Sequence, residues 1–413
     1  TTNELATALM DPATYDVFMN HGIFTVGNYF YNGVGHICVD YGKVLAIGYA
    51  GIKREAEEHL AALRTGDGEY MRRHHFLTAV VECCDAVKVY AERYADAAEK
   101  LAESESCPVR REELATIAAT CRQVPYHGAR SFREACQSFW FVQLLMQTES
   151  SGHSISPGRF DQYMYPYYKA DIDAGKITYE EAQELIDCIW VKLNDLNKVR
   201  DAASADGFAG YGLFQNLIVG GQDIYGMDAT NDLSYMCIEA SIHVRLPQPS
   251  LSVRVWNGSP ESFLIKAAAL TRLGTGLPAY YNDEIIIPAL MSRGLTLEDA
   301  RDYGIIGCQE IVGCGTDYPA PNGMHPPHAS VWWGSIFNMA INNGINPFNG
   351  EQASVTTDYL YNMKSIDEVK AAVEKMGRHV MKMFISTNNY AEYISSFTAP
   401  QPIISISVEG CME

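Results

Sequence analysis

A chain of 413 residues is long enough for several domains or for one large α/β barrel. Its formal net charge of -19 argues against a nucleic-acid partner, whose phosphates call for Lys and Arg. Hydrophobic residues at 47% and charged residues at 20% are ordinary for a globular protein, and no apolar run is long enough to span a bilayer. The 11 cysteines are scattered with no C-x-x-C pair, which excludes the common zinc-finger and ferredoxin spacings. No secretory leader is evident, so the expectation is reduced thiols in a reducing cytoplasm and no metal site.

In chain order, Gly33 and Gly35 permit tight turns ahead of His36-Ile-Cys-Val-Asp40-Tyr41. On pattern alone His36 reads as a packed histidine. Residues from about 52 to 148 read as helical, with apolar residues at helical spacing from His75 to Glu103. Arg110 to Cys121 forms a further helix, and Ser131 to Met146 is apolar nearly all round, hence a buried helix. The run Gly152-His153-Ser154-Ile-Ser156-Pro157-Gly158-Arg159-Phe-Asp-Gln-Tyr163 is, by itself, a linker rich in small residues with a helix after Pro157.

Thr178-Tyr-Glu-Glu181 is a capping box that opens a helix to about Asn197. Leu213-Phe214 leads a strand that ends on Gly220-Gly221, and Phe214 on its own reads as core. A helix over 229–243, a strand over Pro249 to Trp256, a helix after Ser259-Pro260, a short strand at 278–281 and helices near 284–292 and 296–303 follow. This alternation predicts parallel strands in an α/β core. Ser330 to Asn343 predicts a helix, Ser365-Ile-Asp-Glu368 caps a long one through the 380s, and Thr398 to Ser407 predicts a strand.

The stretch Gly304-Ile-Ile-Gly307-Cys308-Gln309-Glu310 is an apolar strand running into a glycine-flanked loop. In extended backbone, residues i and i+2 share a side, so the Cys308 thiol and the Glu310 carboxylate can face one substrate. An isolated C-x-E is more often a buried structural cysteine beside a surface glutamate. A nucleophilic cysteine with His325 or His328 as base is another option, although nothing in the sequence around Cys308 lowers a thiol pKa.

With Pro278-Ala-Tyr-Tyr-Asn-Asp-Glu284 and Thr296 to Tyr303 leading in, the Cys308 stretch resembles the cysteine loop of glycyl radical enzymes, the pyruvate formate-lyase-like superfamily. Gly35-His36-Ile-Cys-Val-Asp40, the Gly152 to Tyr168 run, Lys192 to Asp201, Phe208 to Tyr211, Pro247-Gln-Pro-Ser250 and Val253 to Gly258 are similar to segments of glycerol, diol and hydroxyproline dehydratases of that superfamily. The resemblance implies a ten-stranded α/β barrel with outer helices and a central cysteine loop. It implies a dehydratase that eliminates water, or a similar leaving group, from a small hydroxylated substrate. Cys308 would carry the thiyl radical and Glu310 would be the base. His36 would protonate the leaving group, and His153, Ser154 and Phe214 would bind substrate. The implied partners are a radical S-adenosylmethionine activase, which installs the glycyl radical, and a second copy of the chain in a homodimer.

Two features differ from the dehydratase pattern. Ile311 stands where dehydratases carry a proline, and Asn322 stands where they carry an aspartate that assists leaving-group departure; Asp317, His325 or His328 are the candidate substitutes. The C-terminal motif R-V-x-G-[YFW] that bears the radical is not found, and Arg254-Val-Trp-Asn-Gly258 has the wrong spacing. The expectation is therefore that residues 1–413 are a partial barrel domain without the glycyl radical domain, inactive alone, with the radical on a residue outside the chain. The alternatives are an arylacetate decarboxylase or a C–N or C–S lyase of the same superfamily, and a non-catalytic degenerate homologue.

Overall fold

The computed structural model describes residues 36–149, 154–197, 213–292, 294–307, 310–314, 329–331, 333–347 and 349–398, with 24–26 and residue 12 near the amino end. Cys308, His153, Asn322, Asp317, His325, His328 and the strand expected after Thr398 lie outside the described residues. The chain divides into two compact units, residues 36–318 and residues 1–35 with 319–413. Among the described residues the strands are β1 (Phe24–Val26), β2 (Ile37–Cys38), β3 (Ile155–Ser156), β4 (Asn216–Gly220), β5 (Ser250–Val255), β6 (Ala279–Asn282), β7 (Tyr303–Ile306), β8 (Glu310–Gly313) and β9 (Ala329–Val331).

In the unit of residues 36–318 the chain alternates helices and strands, so the α/β class holds. β4, β5 and β6 form a parallel sheet, with Leu217 opposite Leu251 and Val253 opposite Tyr280. β2 pairs in parallel with β3. β4 is buried along its whole length, as a parallel strand covered on both faces must be. Leu217 and Val219 pack with Phe139, Phe160, Trp190 and Phe263 on one side. Ile218 packs with Ile287, Leu290, Tyr303 and Ile305 on the other.

The covering helices start where their sequence says they should. Thr178 and Glu181 cap each other's backbone amides at 3.1 and 2.8 Å, and the helix runs Tyr179–Asp195. Asn231 caps the helix Asp232–Val244. The long predicted helical stretch resolves into Tyr41–Ala62, Tyr70–Ser104, Pro108–Gln123 and Phe132–Glu149. No helix among the described residues is long and apolar enough to cross a membrane.

Two local expectations change. β7 and β8 form an antiparallel hairpin with Ile306 opposite Glu310, so the strand into Cys308 folds straight back instead of continuing the parallel pattern. In the other unit, Ala329–Val331 is a strand paired with β1, and the helix expected from Ser330 begins only at Trp333. β-branched Val331 beside Ser330 favours extended backbone. That unit's core joins the helix Trp333–Ile341 to the helix Ile366–Thr398 through Ile336, Met339, Ala340, Met376 and Val380.

β7 is pinned by charge. The fully buried Arg254 on β5 makes a two-pronged contact with Asp283, at 2.8 and 2.9 Å. The Tyr303 hydroxyl donates to the same carboxylate at 2.8 Å, and Arg254 donates to the Tyr303 carbonyl at 3.2 Å. An ion pair sealed from water is costly to break from one side, because the remaining charge has no solvent. Asp283→Ala is expected to lose about 3–5 kcal/mol of unfolding free energy. Urea denaturation measures this, and a loss under about 1 kcal/mol, the worth of an exposed pair, would mean that β7 does not depend on this contact.

Candidate active site

The tip of the β7–β8 hairpin meets the amino ends of β2, β3 and β4. β7 runs opposite to β2 and β3: Gly304 lies beside Gly158 and Cys38, whereas Gly307 lies beside Ser154 and His36. Three of the residues singled out in the sequence therefore surround one glycine. A Cβ placed on Gly307 would fall 2.7 Å from Glu310 Oε2, 2.9 Å from Ser154 Oγ and 3.0 Å from His36 Cδ2. His36 Nε2 and Glu310 Oε1 are 3.6 Å apart, with side-chain exposures of 1% and 10%. Ser154 is fully buried, and its hydroxyl has no protein partner among the described residues. Such an orphaned group in a buried site is suited to a ligand hydroxyl.

Backbone strain marks the same place. The described residues hold five non-glycine positions with positive φ, and three of them are His36 at 52°, Ser154 at 65° and Phe214 at 48°. Gly307 joins them at 61°. Left-handed backbone costs a non-glycine residue about 1–3 kcal/mol and survives where the surroundings over-determine it. Phe214 sits just before β4, and its carbonyl accepts from the Asn216 amide at 3.0 Å. Cys308 and Gln309, between Gly307 and Glu310 in sequence, and His153, before Ser154, are among the residues outside the description.

Sequence reading overlooked the residues that hold Gly307. The Ser156 hydroxyl accepts from the Gly307 amide at 3.3 Å and from the Asn216 amide at 3.2 Å, and it lies 3.4 Å from the Ser154 carbonyl and 3.5 Å from that of Phe214. A hydroxyl offers two acceptor positions and one donor, so Ser156 uses all its capacity to join β3, β4 and the hairpin tip. The Asn216 side-chain amide donates to the Gly307 carbonyl at 3.4 Å. Ser156 stands two residues from Ser154 in the same small-residue run, which is the signal that was available.

The rest of the run that carries the resemblance is structural. Arg159 bonds Asp302 at 2.8 Å and the Gln222 carbonyl at 2.9 Å, fixing the start of β7 against the end of β4. Asp161 accepts from the Gly220 amide at 2.8 Å and the Ser234 hydroxyl at 2.6 Å. Burial pushes its carboxyl up, against the opposing pull of Arg159 and these hydrogen bonds. Beneath β3, Gln143 donates to the Ile155 carbonyl and to Gln215, both at 2.8 Å. Among the described residues no group of three or more His, Cys, Asp or Glu could hold a metal ion.

Ser156→Ala would strand the buried Gly307 amide, which costs about 1–3 kcal/mol for an unsatisfied donor. The expected result is a stability loss of that order together with faster amide exchange over residues 303–311. Exchange unchanged from the parent would contradict the clamp.

All of residues 1–413 match the pyruvate formate lyase-like family. The chain is 37% identical over 395 residues to (2S)-3-sulfopropanediol dehydratase of Klebsiella oxytoca, a match spanning 94% of this chain and 47% of the relative. It is 39% identical over 316 residues to isethionate sulfite-lyase of Desulfovibrio desulfuricans, spanning 76% of this chain and 37% of the relative. A solved structure concerned with 1,2-propanediol dehydration in Roseburia inulinivorans superimposes with a TM-score of 0.88 at 54% identity, over 97% of this chain and 50% of that one. The chain thus spans about half the length, or less, of these relatives. Matched along its whole length, the chain belongs to the pyruvate formate lyase-like family.

Proposed function

We propose that the protein to which these residues belong is a glycyl radical lyase that removes a leaving group from the carbon next to a hydroxyl-bearing one. The observation that carries this reading is the convergence of His36, Ser154 and Glu310 on Gly307, the residue before Cys308. Similarity to dehydratases over nearly the whole chain supports it.

In this reading Cys308, as a thiyl radical, takes a hydrogen atom from the hydroxyl-bearing carbon: a C–H bond breaks and an S–H bond forms. No lowered thiol pKa is needed. Glu310 takes the hydroxyl proton, leaving a ketyl radical anion. A general base must reach that proton within hydrogen-bond distance, and the closeness of the Glu310 carboxylate to Gly307 supports this role. The neighbouring C–O bond then breaks, and His36 gives the departing oxygen its proton. Return of the hydrogen atom from Cys308 leaves an aldehyde or ketone. One proton is gained at Glu310 and one lost at His36, and the 3.6 Å between them lets the pair reset. Ser154 and His153 hold the substrate hydroxyls, and Phe214 closes the pocket.

The wider arrangement proposed is a ten-stranded α/β barrel with the Cys308 loop inside it. The radical resides on a glycine outside residues 1–413, installed by a radical S-adenosylmethionine activase. A second reading, C–S cleavage, draws support from the similarity to isethionate sulfite-lyase. There the leaving group is sulfite, which needs no proton from His36.

The test activates the full-length protein anaerobically and supplies 1,2-propanediol, glycerol, 3-sulfopropanediol and isethionate. Carbonyl product is expected from at least one of them. Glu310→Gln should lower kcat by about 10²–10⁴, the range for a lost general base. Cys308→Ala should abolish turnover. A Cys308→Ala protein with parental turnover would overturn the mechanism, and His36→Gln with parental turnover on isethionate alone would select the C–S reading.

A further inference from the structure

The proposed chemistry leaves two neighbouring sulfurs unused. Cys38 ends β2, two residues after His36, and Cys314 follows β8, four residues after Glu310. Their Sγ atoms are 3.5 Å apart across 276 residues of sequence, with the Cys38 thiol donating to Cys314. Glycines make the space for them. A Cβ on Gly158 would fall 2.4 Å from Cys38 Sγ and 3.1 Å from Cys314 Sγ, and one on Gly304 would fall 2.5 Å from Cys314 Sγ. A cavity of about 280 Å³ reaches both sulfurs, lined also by Asp40, Arg159, Tyr163 and Asp302. Neither cysteine is fully enclosed.

We propose that Cys38 and Cys314 form a modification site, a dithiol that a low-molecular-weight disulfide such as glutathione disulfide converts to an intrachain disulfide. The Cys314 sulfur attacks the reagent, whose S–S bond breaks and releases one thiol. Cys38 then attacks the mixed disulfide at the Cys314 sulfur and releases the second thiol. The protein thiols give up two electrons and two protons, and the reagent takes both. The order follows from the hydrogen bond: the Cys38 thiol points its proton at Cys314, so the Cys314 sulfur is the attacker and Cys38 resolves. The bond to Cys314 and burial push the Cys38 thiol up, as suits the resolving partner. Closure brings the sulfurs from 3.5 Å to about 2 Å and ties β2, which follows His36, to the hairpin that bears Glu310.

This site rests on the sulfur geometry and not on the proposed reaction, so its test does not use activity. The native full-length protein is incubated with excess glutathione disulfide, alkylated, and digested after glutamate. Cleavage at Glu310 puts Cys308 and Cys314 in different peptides. The expected product is a link between the Cys38 and Cys314 peptides that dithiothreitol reverses. In Cys38→Ser, Cys314 should instead carry one glutathione. If only the exposed Cys83, Cys107 and Cys188 react while Cys38 and Cys314 stay reduced, or if either links to another cysteine, the proposal fails. Should Cys38→Ser not fold, the map of the parent protein decides the question alone.

Discussion

Space above one glycine governs the site. Gly307 has no side chain, and His36, Ser154 and Glu310 occupy the volume that any side chain there would need. Its φ of 61° is one that other residues adopt only under strain. The glycine lets the hairpin tip come close enough for a hydroxyl, an imidazole and a carboxylate to share one buried point. The same bareness lets Ser156 and Asn216 grip the peptide from below. The position before the cysteine is thus held from both sides by groups that cannot relax into solvent.

That arrangement is expensive locally and is offset elsewhere. Left-handed backbone at His36, Ser154 and Phe214 needs a stiff frame. Three polar anchors provide it: the buried pairs Arg254 with Asp283 and Gln143 with Gln215, and the buried Arg159 with the partly exposed Asp302. Arg254 and Arg159 hold the start of β7 against the far ends of β5 and β4, and Gln143 joins β3 to the residue before β4 at the site. A buried polar network whose members are satisfied specifies one arrangement of strands, where apolar contacts alone would tolerate several.

Much of the outer scaffold was legible in the sequence because its signals are local. The Thr178 capping box, the apolar β4 and β5 segments and the helices around them appear within a few residues of their expected places. The helix expected from Ser330 was misplaced at its start, since pairing of Ala329–Val331 with Phe24–Val26 is a contact across some three hundred residues. The hairpin of β7 and β8 was likewise hidden, because an apolar strand that ends on glycine reads alike whether or not the chain folds back on it. At the site, residue types with chemistry pointed to His36, Ser154 and Glu310, and the fold gathers them. Ser156 and Asn216 escaped notice because a hydroxyl and an amide that bind backbone leave no pattern until the strands are assembled. Arg159 and Asp161 lay in the most recognisable run, yet their contacts are with backbone carbonyls, amides and an ion-pair partner in the frame.

The most direct measurement follows a hydrogen atom. Full-length activated protein is given 1,2-propanediol carrying two deuterons on its terminal hydroxyl-bearing carbon, and the propanal formed is analysed by mass spectrometry and NMR. If a single sulfur removes and returns the atom, one deuteron appears on the carbon next to the aldehyde and one remains on the aldehyde itself. If the neighbouring carbon carries only hydrogen drawn from water, no sulfur has carried the atom between the two carbons, and the role given to Cys308 is wrong.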